Sequence, residues 1–424
     1  MSVCIKGGFI MLEKIELENG LKIYLINDPN KHTAYINLIV KFGGINNKII
    51  YNNKKHNIKS GTAHFLEHLV LESNECGDIM SIFSANGVGS NGFTSIDRTQ
   101  FYIDTVYDVT KYLYLLLKGI HNPIINKNLI DKIKGPILEE KRRSLDNKNS
   151  SNIYNTSLSS VLNNKGFKSI LGDLEDIENI NKEDLVTAFN TFYRPENEII
   201  VIGGRFDKEE VINTIKNIYS DIKFTKYPIK TNKSIFKSKV NKRKCTVYED
   251  VTLEKSIISF KIDTHNMKPY EKIMLDNYLY YFLKNNFGVT SNLNNYLVDN
   301  DIIIGNTYYS SNEIEDYLVI RVEANTKRMN EFNNIIIDYF KNKKFVFDED
   351  FFNLCKKNYI IDLVVRSDDI YRTIDPLIEN IVTYNYEGID TINDTEKIDF
   401  NKYKNMILNF DFSNYNISML KTKN

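Results

Sequence analysis

The stretch Ser60-Gly-Thr-Ala-His-Phe-Leu-Glu-His-Leu-Val-Leu-Glu72 has apolar residues at helical spacing and no proline, which predicts an α-helix. His64 and His68 lie four residues apart on one helix face, with about 6 Å between their Cβ atoms, so both imidazoles can reach one ion. Glu67 lies beside that ion, where a carboxylate can act as a base on water. The pattern H-x-x-E-H reverses the H-E-x-x-H signature of zinc proteases, although five residues can also match by chance on a surface helix.

A third zinc ligand is expected elsewhere, because catalytic zinc sites combine three protein ligands with an open position. The segment Lys132-Ile-Lys-Gly-Pro-Ile-Leu-Glu-Glu-Lys-Arg-Arg-Ser144 lies in a predicted helix from about Asn126 to Asp146, interrupted near Gly135-Pro136. Glu140 offers a carboxylate, a suitable ligand beside two imidazoles. The alternative is that Glu139 and Glu140 pair with the three basic residues that follow them on a solvated face.

Further motifs follow one another in a characteristic order. They are Asn19-Gly20-Leu21, Lys41-Phe42-Gly43-Gly44, Gly61-Thr62-Ala63, Asn91-Gly92-Phe93-Thr94-Ser95, Asp97-Arg98-Thr99, Leu171-Gly172, Phe192-Tyr193-Arg194-Pro195-Glu196-Asn197 and Val201-Ile202-Gly203-Gly204. With H-x-x-E-H and the later I-L-E-E segment, this order resembles the inverzincin zinc metallopeptidases of the pitrilysin family (M16) over residues 13 to about 220. The short single-unit bacterial branch, which includes processing peptidases, is the most similar.

The resemblance implies that one Zn²⁺ ion is held by His64, His68 and Glu140. Such an ion lowers the pKa of water toward about 7 and polarises a carbonyl group. Glu67 is not a ligand in this arrangement. It is expected to accept a proton from the attacking water and to pass it to the departing amine, which is the chemistry of peptide hydrolysis.

The stretch Asn91-Gly92-Phe93 is a candidate substrate-binding strand, because an extended peptide can add to a sheet edge through main-chain hydrogen bonds. The resemblance implies that an Asn-Ala pair faces the substrate backbone here. Asn91 matches this pair and Gly92 replaces the alanine. Considered alone, Asn91-Gly92 also fits a turn, and Phe93 also fits a core position.

Three departures from the family pattern concern activity. Ile133 stands where the family usually has a supporting glutamate, and Pro136 is expected to kink the helix that carries Glu140. Asn292 and Ile304 stand where active relatives carry an arginine and a tyrosine that reach over the substrate. A chain with intact zinc residues and without this pair resembles one subunit of a two-chain peptidase. We therefore expect a zinc-less paralogue as partner in a heterodimer, or a homodimer.

The length of 424 residues suits two domains, and a hydrophobic content of 42% supports sizeable cores. Strands and helices recur in the same order in both halves, which predicts an α+β fold with two similar duplicated domains. Each is expected to have an antiparallel-rich sheet with helices packed on one face. We predict a zinc-binding domain over 1–225, a linker over 226–243 and an inactive domain over 244–424.

Composition bears on partners and compartment. Lys+Arg and Asp+Glu both number 55, so neither nucleic acid nor a membrane is an expected partner. No apolar run approaches the ~18 residues of a membrane span, and residues 3–10 do not match a signal peptide. The four cysteines show no C-x-x-C spacing, which favours reduced thiols in a cytoplasmic protein.

Three functions compete at this point. The first is a zinc endopeptidase that cleaves small or unfolded peptides inside a clamshell chamber, for example in the maturation of a ribosomally made peptide. The second is a non-catalytic peptide-binding or scaffold subunit of an M16-type complex, which the departures favour. The third is a structural zinc site, for which Cys76 is the nearby candidate for a fourth ligand.

Overall fold

The computed structural model describes residues 2–7, 10–51, 54–146, 151–162, 169–222, 224, 230–231, 237–388 and 392–423. The chain divides into two compact units of three segments each. Unit 1 consists of Met1–Arg143, Gly166–Ile235 and Arg366–Ile378, and unit 2 consists of Ser144–Lys165, Phe236–Val365 and Glu379–Asn424. Each unit therefore contains a short segment from the half of the sequence that mainly forms the other unit.

The described strands are β1 (Ser2–Gly7), β2 (Ile10–Glu16), β3 (Lys22–Asn27), β4 (Ala34–Val40), β5 (Lys48–Tyr51), β6 (Lys54–Asn57), β7 (Gly89–Thr94), β8 (Thr99–Thr105), β9 (Glu198–Gly204), β10 (Lys230–Thr231), β11 (Lys244–Glu249), β12 (Lys255–Asp263), β13 (Ile304–Ile314), β14 (Tyr317–Asn325) and β15 (Tyr415–Thr422). The described helices are α1 (Thr62–Glu72), α2 (Ile79–Ala85), α3 (Val109–His121), α4 (Lys127–Asp146), α5 (Ser151–Leu162), α6 (Leu174–Asn179), α7 (Lys182–Phe192), α8 (Lys208–Asp221), α9 (Pro269–Phe287), α10 (Asn292–Asp299), α11 (Met329–Lys341), α12 (Glu349–Arg366), α13 (Ile370–Thr383), α14 (Ile392–Glu396) and α15 (Phe400–Asn409).

The sheet of unit 1 has the strand order β1-β2-β3-β9-β4-β8-β7, in which β3 and β9 run parallel and the other neighbours run antiparallel. Helices α1, α3, α7 and α8 contribute to one core with the side chains of alternate strand residues, including Leu38 in β4 and Leu69 in α1. Full burial of such a side chain contributes about 2 kcal/mol. This core holds α1 beside β7.

The other face of this sheet is covered at its centre by part of the segment 366–378. Gly203 in β9 makes room for it, because a Cβ there would lie 2.3 Å from Ile374 Cδ1. Tyr35 in β4 packs against Tyr371, with ring centroids 4.7 Å apart, and its hydroxyl donates to Asp375. With both faces covered, β4 and β9 are buried along their whole length.

The sheet of unit 2 has the order β11-β15-β12-β14-β13, in which β11 and β15 run parallel and the other neighbours antiparallel. Helices α9 and α11 pack on one face around Phe260 and Leu279. Helix α5 covers the opposite face, where Ile153 packs with Ile257 and Leu420. Lys261 holds the end of this helix by donating to the carbonyl of Val161 at 3.0 Å.

One strand arrangement is repeated in the two units, which confirms the predicted duplication of an α+β domain. Strands β3, β4, β8, β7 and β9 pair with each other as β11, β12, β14, β13 and β15 do. In both units two helices precede the edge strand of this shared arrangement: α1 and α2 lie between β4 and β7, after β5 and β6, and α9 and α10 lie between β12 and β13. Helices α1 and α9 therefore occupy equivalent places.

The predicted interruption of the ligand-bearing helix at Pro136 is wrong. Helix α4 runs from Lys127 to Asp146 through this proline, and Ile133 and Ile137 are buried on either side of it. Anchored side chains on both sides outweigh the loss of one backbone hydrogen bond. The domain limits at 225 and 244 stay a prediction, and residues 226–229 and 232–236 of the predicted linker lie outside the described residues. Within the described part of the chain, no helix has the length and apolar character required to cross a membrane.

Candidate metal centre

Helix α1 starts where the chain contacts the loop that precedes α6. Its N-cap residue Gly61 has φ 85°, a left-handed conformation that favours glycine. A Cβ on Gly61 would lie 2.7 Å from the carbonyl oxygen of Leu171, and a Cβ on Gly172 would lie 2.7 Å from Gly61 Cα. Both glycines are therefore needed for this approach, which sets the position of α1.

His64, His68 and Glu140, the three predicted ligands, come together between α1 and α4. His64 Nε2 lies 3.4 Å and His68 Nε2 lies 3.6 Å from Glu140 Oε2. The two imidazole rings meet edge to face, with centroids 4.8 Å apart. Ligand atoms placed about 2.1 Å from a tetrahedral zinc ion are about 3.4 Å from each other, so these spacings suit zinc.

The two histidines have different electrostatic surroundings. Burial, reinforced by the nearby His68, lowers the pKa of His64 to about 3, so this ring is neutral and able to bind a metal. Burial also acts to lower the pKa of His68, but the contact with Glu72 and the charges of Glu67 and Glu140 outweigh it and raise the pKa. His68 Nδ1 lies 3.3 Å from Glu72 Oε1, a contact that orients the ring and leaves Nε2 toward Glu140.

Glu67 is buried beside the histidines without belonging to the group of three ligands. Its Oε2 accepts a hydrogen bond from Thr94 Oγ1 on β7 at 2.7 Å. Burial raises the pKa of Glu67, and the hydrogen bond from Thr94 opposes this shift. Burial, together with the charge of Glu67, also raises the pKa of Tyr193 well above its usual value. A carboxylate with a raised pKa is suited to accept and return a proton.

Within the described part of the chain, no fourth His, Cys, Asp or Glu joins the three ligands. Cys76 is half-buried and packs against the core of unit 1, so the predicted alternative of a fourth thiolate ligand has no support. Two nitrogen donors and one carboxylate oxygen match the donor set of catalytic zinc sites, which keep one coordination position open. The residues present therefore fit zinc.

The surroundings of the ligands differ from the family pattern in one respect. Ile133 is buried in the hydrophobic core, so α4 offers no supporting carboxylate from this position. The Nδ1 atom of His64 is buried and has no hydrogen-bond partner among the described residues. The orientation of the ligands therefore depends on other contacts.

Strand β7 lies at the end of the sheet and is paired on one side, by β8. Gly92 lies against Glu67, since a Cβ there would be 3.3 Å from Glu67 Oε1. Asn91 and Phe93 are exposed and belong to the other face of the strand, because side chains alternate. Substrate binding by Asn91, Gly92 and Phe93 stays a prediction.

Sequence reasoning missed Thr94 and Glu72. Glu72 follows His68 by one helical turn, a spacing that could have indicated the contact. Thr94 belongs to the motif Asn91-Gly92-Phe93-Thr94-Ser95, but its hydrogen bond to Glu67 depends on the packing of β7 beside α1. The alternative in which Glu139 and Glu140 pair with basic residues on a solvated face holds for Glu139, which lies 4.0 Å from Arg142. It does not hold for Glu140, which faces the histidines.

Comparison with family models identifies the family to which this chain belongs. The family model of insulinase (peptidase family M16) matches residues 22–172, and the model of the peptidase M16 inactive domain matches residues 179–359. The chain therefore belongs to peptidase family M16. It contains an M16 domain followed by one of the type described as inactive.

Individual relatives agree with this assignment. The chain is 27% identical over 215 residues to the uncharacterized zinc protease YmfH of Bacillus subtilis (strain 168), a match that covers 50% of each chain. It is 26% identical over 204 residues to the mitochondrial-processing peptidase subunit beta of Bos taurus, covering 47% of this chain and 40% of that one. The chain thus spans about half the length of the curated relatives it matches. A crystal structure of an M16-like peptidase from Alicyclobacillus acidocaldarius shares the fold, with a TM-score of 0.83, 20% identity and coverage of 99% and 100% of the two chains.

Proposed function

We propose that this chain is a zinc-dependent endopeptidase that hydrolyses small or unfolded peptides, with a ribosomally made peptide that requires maturation as one candidate substrate. The observation that carries the proposal is the convergence of His64, His68 and Glu140 on one point. Three protein ligands beside a buried carboxylate are the arrangement that zinc sites use to hydrolyse amides.

A zinc ion in this position would lower the pKa of water and polarise the scissile carbonyl group. Thr94 holds Oε2 of Glu67, and Oε1 lies on the side of Gly92. Glu67 can therefore accept a proton from the attacking water through Oε1. The raised pKa lets the protonated acid persist until it donates to the departing amine.

Among the described strands β7 pairs with β8 alone, and its other edge supports an extended peptide as the substrate. A peptide that adds to this edge through main-chain hydrogen bonds would pass Gly92, and a scissile bond there would lie next to Glu67. Such binding needs an unfolded backbone and little sequence specificity. It also suits enclosure of short chains in a chamber.

The proposed partner is a zinc-less paralogue in a cytoplasmic heterodimer, with a homodimer as the alternative. Asn292 starts α10 and Ile304 starts β13, and neither side chain can act as the arginine or tyrosine that active relatives use there. A partner that supplies these groups would complete the site. One relative is named as the subunit beta of a peptidase, which supports an arrangement of more than one chain.

The test uses the purified full chain, stripped of metal and then given one equivalent of zinc, with a quenched peptide library as substrate. We expect zinc to restore cleavage, and His64→Ala to abolish both tight zinc binding and cleavage. The assay is repeated after addition of a zinc-less M16 paralogue. Full activity of this chain without the paralogue would reject the heterodimer, and zinc binding without cleavage in either assay would reject the peptidase.

A further inference from the structure

Helix α4 has one buried charge in an otherwise apolar stripe. Its buried residues are Ile130, Ile133, Ile137 and Lys141, at helical spacings of three, four and four residues. Lys141 is only 6% exposed and directly follows the ligand Glu140. Burying an ammonium group is unfavourable unless it has partners, so an apolar residue would be expected at this place.

Lys141 has a specific partner in the loop 169–173. Its Nζ donates to Ser169 Oγ at 3.2 Å, and Ser169 Oγ in turn donates to the carbonyl of Gly172 at 2.6 Å. Burial lowers the pKa of Lys141, and the charge of the nearby Asp173 opposes this shift. The loop therefore contacts and stabilises the turn of α4 that carries Glu140.

The same loop holds the start of α1. Gly172 and Gly61 are in contact through their backbones. The hydroxyl of Ser60 accepts from the Asp173 amide at 3.1 Å and donates to Asp176 Oδ2 at 2.6 Å. Loop 169–173 is thus bonded on one side to the helix of Glu140 and on the other to the helix of the two histidines.

We propose that Lys141 is a positioning residue for the metal centre, which acts through Ser169 and loop 169–173 to hold Glu140 at a set distance from His64 and His68. This inference rests on the proposed zinc site. Two features give it a purpose. Ile133 leaves the family's usual supporting position apolar, and the chain passes into unit 2 directly after Arg143, so α4 needs an anchor close to Glu140.

The experiment measures zinc affinity of the metal-free full chain by competition with a chelator, together with the thermal unfolding of the same metal-free protein. The variants are Lys141→Met, Ser169→Ala and the double variant, with Glu140→Gln as positive control and Arg142→Met, on the exposed side of α4, as matched control. Methionine keeps the length of the side chain and suits an apolar stripe, so the fold is expected to persist.

We expect Lys141→Met and Ser169→Ala each to weaken zinc binding about 10-fold, as loss of an orienting contact does. The double variant should bind zinc no more weakly than Lys141→Met, because Lys141 and Ser169 act in one chain of contacts. Arg142→Met should leave the affinity unchanged. The unfolding temperature of the metal-free Lys141→Met protein should stay the same or rise, whereas a purely structural lysine would lower it without changing zinc affinity.

Two results would overturn the inference in distinguishable ways. If Glu140→Gln weakens binding while Lys141→Met and Ser169→Ala bind zinc as the wild type does, the zinc site stands and the positioning role is rejected. If the wild type binds no zinc, or Glu140→Gln has no effect, the proposed function fails and the positioning role fails with it.

Discussion

Helices α1 and α9 occupy equivalent places in two similar units, yet of these two helices only α1 carries residues of the candidate metal site. In unit 1, Glu67 on α1 accepts a hydrogen bond from Thr94 on the edge strand β7. In unit 2, Asp276 on α9 accepts one from Ser311 on the edge strand β13, at 3.2 Å. A carboxylate bonded to an edge-strand hydroxyl is thus present in both units.

The alignment of Asp276 with Glu67 shows what unit 2 lacks. It places Ile273 at the position of His64 and Asn277 at that of His68. The two residues that precede the carboxylate are buried and apolar in both helices: Phe65 and Leu66 in α1, and Met274 and Leu275 in α9. The carboxylate and its hydroxyl partner therefore come with the duplicated fold, whereas the proposed chemistry depends on the two histidines and on Glu140.

The strongest test of this difference is to neutralise each carboxylate in turn. Glu67→Gln should lower kcat/KM for peptide cleavage by about 10²–10⁴-fold without loss of zinc, because it removes the proton acceptor and leaves the ligands in place. Asp276→Asn should leave kcat/KM and zinc content unchanged. A large loss of activity in Asp276→Asn would show that the two carboxylates are not functionally distinct.

Much of the metal centre is predictable from sequence because its parts obey local rules. The spacing of His64, Glu67 and His68 on a helix determines which face they share, and the remote Glu140 follows from the family motif. The sequence also predicts helices over Val109–His121 and Lys182–Phe192 and a strand over Gly89–Thr94, and these limits coincide with those of α3, α7 and β7.

The features that sequence missed depend on contacts between distant residues. Helix α5 is rich in Ser and Asn and is stabilised by the sheet of unit 2, where Ser157 Oγ meets Ser259 Oγ at 3.1 Å. Lys141 lies among charged residues in the sequence, which predicts an exposed side chain. It is buried because loop 169–173 packs against it. The equivalence of Asp276 and Glu67 follows from the strand pairing. It cannot be found from the sequence, because the two helices share few identical residues.

The second prediction is that the ionised carboxylate of Asp276 in unit 2 lowers the stability of the folded state. Burial, with the charges of Glu379 and Glu313, raises the pKa of Asp276 to about 6, although bonds from Ser311 and Tyr384 oppose the shift. A carboxyl group with a raised pKa stabilises the folded state only while protonated, so its contribution is lost as pH rises through about 6.

Asp276→Asn should therefore be more stable than the wild type at pH 7, by at most about 3 kcal/mol, and similar to it near pH 4. Urea unfolding at a series of pH values measures this difference. Asp299→Asn, at an exposed position, serves as control for the substitution of Asp by Asn itself. A difference that is constant with pH would show that Asp276 is not the titrating group.

A third prediction compares the hydroxyl groups of the two edge strands. Thr94→Val keeps the shape of the side chain but removes the donor to Glu67, and we expect kcat/KM to fall about 10-fold, since a hydrogen bond to a charged group is worth about 1.5 kcal/mol or more. Thr94→Ser should retain most of the activity. Ser311→Ala should affect stability alone, so a matching loss of activity there would contradict the comparison.

The smallest expected difference involves one tyrosine in each unit. Tyr384 donates to Asp276, so Tyr384→Phe should lower the free energy of unfolding by about 1 kcal/mol. The hydroxyl of Tyr193 is buried near Glu67 and has no hydrogen-bond partner among the described residues, so Tyr193→Phe should be neutral or slightly stabilising. Urea unfolding of both variants measures these effects. If both variants lose the same free energy of unfolding, the Tyr193 hydroxyl also makes a stabilising contact. The surroundings of Glu67 and Asp276 would then be alike in this respect.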